Sequence, residues 1–313
     1  MTRQWIREFS LQVEGASGKI DLSNLRGRFK VRYTMIQTPN AAEIIVTNAR
    51  EETAQLIRKE GQKVTLTAGY KEGHAIIFTG NIIQKRVGRE NPVDTYLAIV
   101  GQDSDRAYNF ATISKTLSAG STFKDQVEAV LEAMKPYGVT KGFISDLGSQ
   151  KMPGPRVLFG MARDVMREIA TSTGTAWTLE NGKLDVVKTN ETKPGDVIVL
   201  NSQTGMIGRP VQTFDGVIAR MLLNTRVKPN TRIKIDEASI DAAAFSPDTL
   251  GHLGNNQLAS GIAADGLYKV VIVEHHGDTH GNAWYTEVVC HRADGEGIYF
   301  NYQNLNLAVG PDQ

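Results

Sequence analysis

The one dense cluster of side chains that could do chemistry is His275-His276-Gly277-Asp278-Thr279-His280, with His291 nearby in sequence. It offers two to three imidazoles and a carboxylate within six residues, a donor set suited to zinc or iron, so a metal-dependent hydrolase can be written around it. The local pattern argues the other way. Neighbours on a strand point to opposite faces, so His275 and His276 diverge, and Gly277-Asp278 and Gly281-Asn282 are turn residues. Metal centres draw their ligands from rigid elements rather than from one hairpin tip. The stretch is therefore read as a structural hairpin, and the expectation for the whole chain is no catalytic residue, no metal ligand and no cofactor.

Other constellations are absent or weaker. The sequence contains no Gly-x-Ser-x-Gly elbow, no phosphate loop ending in Gly-Lys-Ser, no Cys-x-x-Cys and no His-Glu-x-x-His. Acidic residues are scattered, so no catalytic carboxylate pair stands out; such a pair needs only to meet in space. The lone Cys290, set in Val288-Val289-Cys290, reads as a small buried hydrophobe and excludes an intrachain disulfide. Lys85-Arg86 and Arg89 are expected at turns, as solvated strand ends.

Composition bounds the partners. Lys and Arg number 35 against 34 Asp and Glu, which leaves no bulk field to draw nucleic acid or anionic lipid. At 313 residues, with 41% hydrophobic and 22% charged residues, the chain reads as a cored protein of two or three domains. The opening MTRQWIREFSLQVEG lacks the apolar run of a signal peptide, and no window approaches a membrane span, so synthesis in the cytoplasm and no membrane insertion are expected.

The elements that would position these residues are mostly extended. Trp5, Arg7, Phe9, Leu11 and Val13 share one parity, as do Phe29, Val31, Tyr33 and Met35, the period-2 mark of strands with one face on a core. Further runs at Ala42–Val46, Val64–Thr67, Ala75–Phe78 with Ile82-Ile83, and Tyr96–Val100 are separated by Gly-containing turns too short for crossover helices. One helix interrupts them at Arg50–Gly61. From 104 to 173 the period becomes helical. Thr122 with Asp125 reads as a capping box before Phe123, Val127, Val130, Leu131 and Met134, ended by Pro136 and Gly138. A second helix is expected over Pro155–Thr173, on Leu158, Met161, Val165 and Ile169, with Met161 and Met166 as packing residues. Between the helices, Gly142–Gln150 reads as a strand piece and loop. Asn181-Gly182 between Thr175–Glu180 and Lys183–Val187 is a strong hairpin signal, because both residues tolerate the positive φ of a type I′ turn. Ile198–Leu200 leads into three extended pieces within Thr204–Asp236, a long loop is expected at Ser246–Ala264, and Gly266–His275 and Ala283–Arg292 read as two long strands.

Several of these stretches resemble one family. Gly205-Met206-Ile207-Gly208-Arg209-Pro210 followed by Leu222-Leu223-Asn224 and Pro229-Asn230 resembles a segment of the hub proteins of phage tails and related contractile injection machines, including the hub part of VgrG-like proteins. In that family a proline often follows the leucine pair closely, whereas here Thr225 and Arg226 intervene and the proline is Pro229. The same family is matched by Asn48-Ala49 to Thr53 leading into Val64-Thr65-Leu66 and Ala68-Gly69-Tyr70, and by Ile77-Phe78-Thr79-Gly80-Asn81-Ile82, where the Phe-Thr-Gly type of sequence turns one strand toward the next. A helical pair followed by a Trp-bearing hairpin, then Ile-x-Leu and Gly-x-Ile-Gly-x-Pro, and finally His276, Gly277, Asp278, Trp284 and Thr286 as a structural hairpin, keeps the family's order.

The resemblance implies a mixed, β-rich α+β protein with two small β-barrel-like domains and a helical and small β insert between them. The expected units are 1–103, a first β-barrel-like domain; 104–175, helical; 176–204, a small β hairpin region; 205–296, a second β-barrel-like domain; and 297–313, a tail. It implies a structural baseplate hub of the virion tail, a homotrimer that adapts a sixfold tail tube protein to a threefold central spike protein among other baseplate proteins, with DNA passing the channel without specific binding. Two alternatives stay open: the metal-dependent hydrolase on the His275–His280 hairpin, and a sugar-binding tail-tip module with Trp177 or Trp284 as a stacking platform.

Overall fold

In a computed structural model of the chain, which describes residues 4–15, 18–57, 62–213, 216–236, 239–241, 263 and 265–293, the period-2 segments form strands. The first unit contains β1 (Arg7–Gly15), β2 (Gly18–Asp21), β3 (Gly27–Thr34), β4 (Ala41–Thr47), helix α1 (Glu51–Leu56), β5 (Lys63–Tyr70), β6 (Ala75–Arg89) and β7 (Thr95–Gln102). These strands pair antiparallel in the spatial order β3-β4-β7-β6-β5-β1-β2, as their short connections require. Phe29, Val31 and Tyr33 are buried on one face of β3, and Leu11 and Val13 on one face of β1, so the parity read there is the parity of the core. Trp5, expected on the same face, instead lies before β1 beyond Ile6 at φ of 56° and is 56% exposed, and Arg7 is exposed as well.

Two expectations for this unit fail at β6. Phe78-Thr79-Gly80 does not turn one strand into the next but lies inside a continuous 15-residue strand. Gly80 serves packing instead, because a Cβ there would strike the Gln102 carbonyl and the Phe78 ring. Lys85, Arg86 and Arg89 lie in the same strand rather than at turns: Lys85 donates to the Ala54 carbonyl of α1 and Arg86 pairs with Glu43 at 2.8 Å. Helix α1 is shorter than expected and buries Ala54; residues 58–61 lie outside the described residues.

The insert comprises α2 (Asp105–Phe110), β8 (Thr112–Leu117), α3 (Phe123–Met134), a 3₁₀ turn (Lys135–Tyr137), β9 (Thr140–Ile144), β10 (Arg156–Met161), α4 (Ala162–Thr173), β11 (Thr175–Glu180) and β12 (Lys183–Lys188). The capping box forms as read: the Thr122 hydroxyl accepts from the Asp125 N–H at 3.3 Å, and the Asp125 carboxylate accepts from the Thr122 N–H at 2.7 Å. The helix expected from Pro155 is corrected. Residues 156–161 pair with β8, Gly160 has φ of 120°, outside the helical region, and the helix begins only at Ala162. Leu158 is thus buried from a strand, and its helical spacing to Met161 and Val165 is fortuitous. Asn181 and Gly182 turn the β11–β12 hairpin at φ of 50° and 76°.

The second unit contains β13 (Ile198–Leu200), β14 (Met206–Thr213), β15 (Gly216–Leu222), β16 (Arg232–Ile235), β17 (Leu267–Asp278) and β18 (Trp284–Arg292). The expected loop Ser246–Ala264 lies, apart from Ala263, outside the described residues, as does the 297–313 tail. The α+β class holds, but the two β units do not close separately. β17 pairs with β3, giving one open sheet in the order β14-β15-β18-β17-β3-β4-β7-β6-β5-β1-β2, with β16 and then β13 branching from β17. Accordingly one hydrophobic core collects Leu11, Ile44 and Leu66 with Met221, Tyr268 and Val288. A second core, built on Val130, Met134, Leu158, Met166 and Trp177, belongs to the insert. Among the described residues, no helix is long and apolar enough to cross a membrane.

Glycine and aromatic rings lock this seam. Gly277 on β17 faces Phe29 on β3, and a Cβ there would collide with the Phe29 ring. That ring stacks on Phe9 at 6.1 Å and meets Trp284 edge-on at 5.5 Å, spanning β1, β3 and β18. Replacing Gly277 by alanine should overpack this ladder and cost about 1–3 kcal/mol. Urea unfolding of Gly277→Ala against the parent checks this, and an unchanged midpoint would contradict the packing described.

Candidate functional site

The histidine hairpin is the tip between β17 and β18, and its side chains disperse. His275 is 2% exposed; its Nδ1 lies 2.8 Å from the Thr286 hydroxyl and its ring meets Tyr33 edge-on at 6.4 Å. Burial, with His276 and Lys228 adding to it, pushes its pKa down to about 3, so it stays neutral. His276 points to the opposite face, stacked on Tyr285 at 4.9 Å with Nε2 3.2 Å from Glu274. Asp278 is engaged by Arg26 at 2.7 Å, and that hydrogen bond holds its carboxyl down at about 2. His280 is exposed, its Nδ1 2.9 Å from the Thr279 hydroxyl, and its N–H donates to Asp278 at 2.9 Å. His291 is buried on β18, beside Gly216. Among the described residues, no three His, Cys, Asp or Glu side chains are grouped to hold a metal. What the tip does is clamp: Arg7 donates to the Asp278 carbonyl at 3.1 Å and lies 5.3 Å over the Trp284 ring.

The other candidates resolve into packing. Cys290 is fully buried and its thiol is pushed up by that burial. Trp177 and Trp284 are each 2% exposed, in the insert core and the sheet core respectively, so neither offers the open stacking face that a sugar platform needs. A cleft of about 270 Å³ on the sheet is lined by Arg28, Arg86, Glu90 and Tyr96, but its charges are already matched, Arg28 to Glu90 at 2.6 Å and Arg86 to Glu43 at 2.8 Å.

A buried polar cluster lies where the insert meets the sheet, and sequence reading missed it. Glu180, 5% exposed, receives Lys193 at 3.0 Å and Lys228 at 2.6 Å, and Lys193 also reaches Asp185 at 2.6 Å. Burial opposes both charges, yet Lys193 and Lys228 hold Glu180 below the usual carboxylate value, while Glu180 and Asp185 hold Lys193 above its own. Lys269 on β17 donates to the Thr189 carbonyl at 3.0 Å, and burial brings it down to about 8. The interacting pairs sit 8 to 80 positions apart with no motif; the one local hint is the acidic residues Glu180 and Asp185 inside a strand hairpin.

No protein-family model matches the sequence, and no curated protein matches it. Solved structures do match. A 43 kDa tail protein of prophage MuSo2 from Shewanella oneidensis superposes at TM-score 0.59 and 11% identity, covering 92% of this chain and 97% of its own. A tail protein from Neisseria meningitidis superposes at TM-score 0.56 and 10% identity, covering 90% and 96%. An Escherichia coli component of the type VI secretion system, described as structurally similar to T4 bacteriophage tail proteins, superposes at TM-score 0.54 and 9% identity, covering 90% and 76%. The fold is that of phage tail proteins.

Within this tail-protein fold the segment that carried the resemblance has structural duties. Gly208, at φ of 71°, and Pro210 make the irregular stretch of β14 between Ile207 and Val211. Leu223 is buried in the sheet core, the Asn224 side chain accepts from the Arg226 N–H at 3.0 Å, and Asn230 at φ of 66° turns the chain after Pro229.

The buried His275 sets a pH dependence. Its folded value lies below the ordinary 6.5, so the unfolded chain binds the extra proton and stability is lost as pH falls from about 6.5 toward 3. His275→Gln should remove up to about 1.4 kcal/mol per pH unit of that slope. Urea unfolding at pH 7, 6 and 5 reads it, and parallel slopes for parent and variant would refute the neutral, buried assignment.

Proposed function

We propose that the chain is a structural hub of a phage tail tip or a related injection machine and that it carries no catalytic residue, cofactor or metal. What supports this reading is the fold likeness to a prophage tail protein, which spans 92% of this chain and 97% of that one. In this reading the protein is made in the host cytoplasm and acts in the virion tail baseplate. Three copies form a ring in which the β units, 1–103 and 205–296, alternate around a channel. Six such units meet a sixfold tube protein above, and three chains meet a threefold spike below. The helical unit 104–175 and the hairpin region 176–204 join the β units and face other baseplate proteins, with 297–313 as a tail.

Two physical features support the reading. Among the described residues the main path of the sheet runs from β2 to β14, β14 being bridged in part by Asp241, and exposed strand edges invite uncontrolled pairing unless covered. Head-to-tail packing in a closed ring covers both ends at once. The polar face of the sheet is also self-neutralised across strands: Arg220 pairs with Glu287 at 2.7 Å, Lys30 and Arg32 with Glu274 at 3.3 and 3.5 Å, and Arg86 with Glu43 at 2.8 Å. Such pairing neutralises these cations among the described residues, in keeping with DNA passing without specific binding.

Native mass spectrometry of the purified chain should give a trimer, and cryo-electron microscopy of the assembled particle should show six β units around the channel. A stable monomer with no ring in the particle would overturn the reading.

A further inference from the structure

The insert and the sheet have separate cores that touch through a small apolar contact of Met35, Ala176, Val271 and Ile272. Beside it lies a polar contact built on Asp103, 1% exposed, at the point where the chain leaves β7. The carboxylate accepts the N–H of Asn181, the N–H of Gly182 at 3.2 Å and the Ser104 hydroxyl at 2.8 Å. The Asn181 side-chain oxygen accepts the Thr79 N–H at 3.0 Å and lies 3.0 Å from the Tyr33 hydroxyl, which donates at 2.6 Å to the Ile77 carbonyl of β6, and Asn40 donates to the Leu179 carbonyl at 2.7 Å. The tip of the β11–β12 hairpin is thus gripped by β3, by β6 and by the loops flanking β4 and β7. Ser104, the first residue past the grip, holds φ of 51°, a conformation that a non-glycine residue keeps only when its surroundings impose it. Small, polar junctions of this kind between units permit relative movement.

We propose that Asp103 and the Asn181-Gly182 turn form a proton-operated clasp that fastens the insert to the sheet, proton uptake closing it and proton loss loosening it. The groups facing Asp103 are Tyr33 from β3, Ser104, the turn itself, and Glu180 from β11, whose charge is met by Lys193 and Lys228. Among the described residues no cation lies within salt-bridge distance of Asp103, so only the three hydrogen bonds offset the cost of burying its charge. Burial accordingly lifts its carboxyl to about 7, against the three donors that pull the other way. An opened junction returns the group to water and to its ordinary 3.8, so closing takes up a proton between about pH 4 and 7. The open-to-closed ratio then rises about 90-fold from pH 5 to pH 8. This inference is independent of the hub reading.

Amide hydrogen exchange of the intact chain, corrected for the intrinsic pH dependence of exchange, tests it. Protection of the 175–188 amides should fall by about 90-fold between pH 5 and 8 while amides of β4 and β7 do not follow. Asp103→Asn should flatten that dependence. Tyr33→Phe, which removes the hydroxyl lying between the Ile77 carbonyl and Asn181 and leaves the Asp103 carboxyl, should lower protection at every pH and keep the slope. A pH-independent turn in the parent, a loss shared equally by β4 and β7, or an unaltered slope in Asp103→Asn would each overturn the clasp. The comparison of the turn with β4 and β7 in the parent needs no variant to fold.

Discussion

Everything in the sheet depends on the antiparallel ladder between β3 and β17, which runs from Thr34 opposite Ile272 to Arg28 opposite Asp278. Without it the chain would hold two smaller sheets, each with a further bare edge. With it, Phe29, Val31 and Tyr33 enter the same core as Val270, Val273 and Trp284. The seam is specified by shape, since the Phe29 ring occupies the space over Gly277 that any side chain would need. Charge reinforces the register on the outer face, where Lys30 and Arg32 of β3 flank Glu274 of β17.

Much of this was legible in the sequence because strand parity is a local property. Leu11, Val13, Phe29, Val31 and Tyr33 alternate in sequence for the same reason that they line one face. The Asn181-Gly182 turn and the Thr122–Asp125 box were legible on the same grounds, since each is decided within a few residues. The failures are where a local pattern met a distant partner. Leu158, Met161 and Val165 carry helical spacing, but β8 offers 156–161 a ladder, and Gly160 adopts a backbone that a helix cannot use. Phe78-Thr79-Gly80 has turn composition, yet the glycine is spent on the approach of Gln102.

The histidine hairpin shows the same division in the candidate site. That His275 and His276 face opposite ways follows from pleating alone. That His275 is neutral against Thr286, or that Asp278 is taken by Arg26, could not be read, because those partners lie 11 and 252 residues away. The junction was invisible for a stronger reason. Asp103, Tyr33, Asn40 and Asn181 are unremarkable polar residues until the hairpin is set against the sheet, and only then do they join one hydrogen-bonded network, with Asp103, Tyr33 and Asn40 buried.

The β3–β17 ladder also fixes an order of events during synthesis. Its two strands are separated by about 240 residues of chain, a loop whose closure entropy is met only after the second strand exists. At roughly 5–20 residues per second, β3 waits on the order of tens of seconds beside the ribosome with its edge unpaired. Until β17 is made, the vulnerable surface of the nascent chain is the unpaired β3 edge.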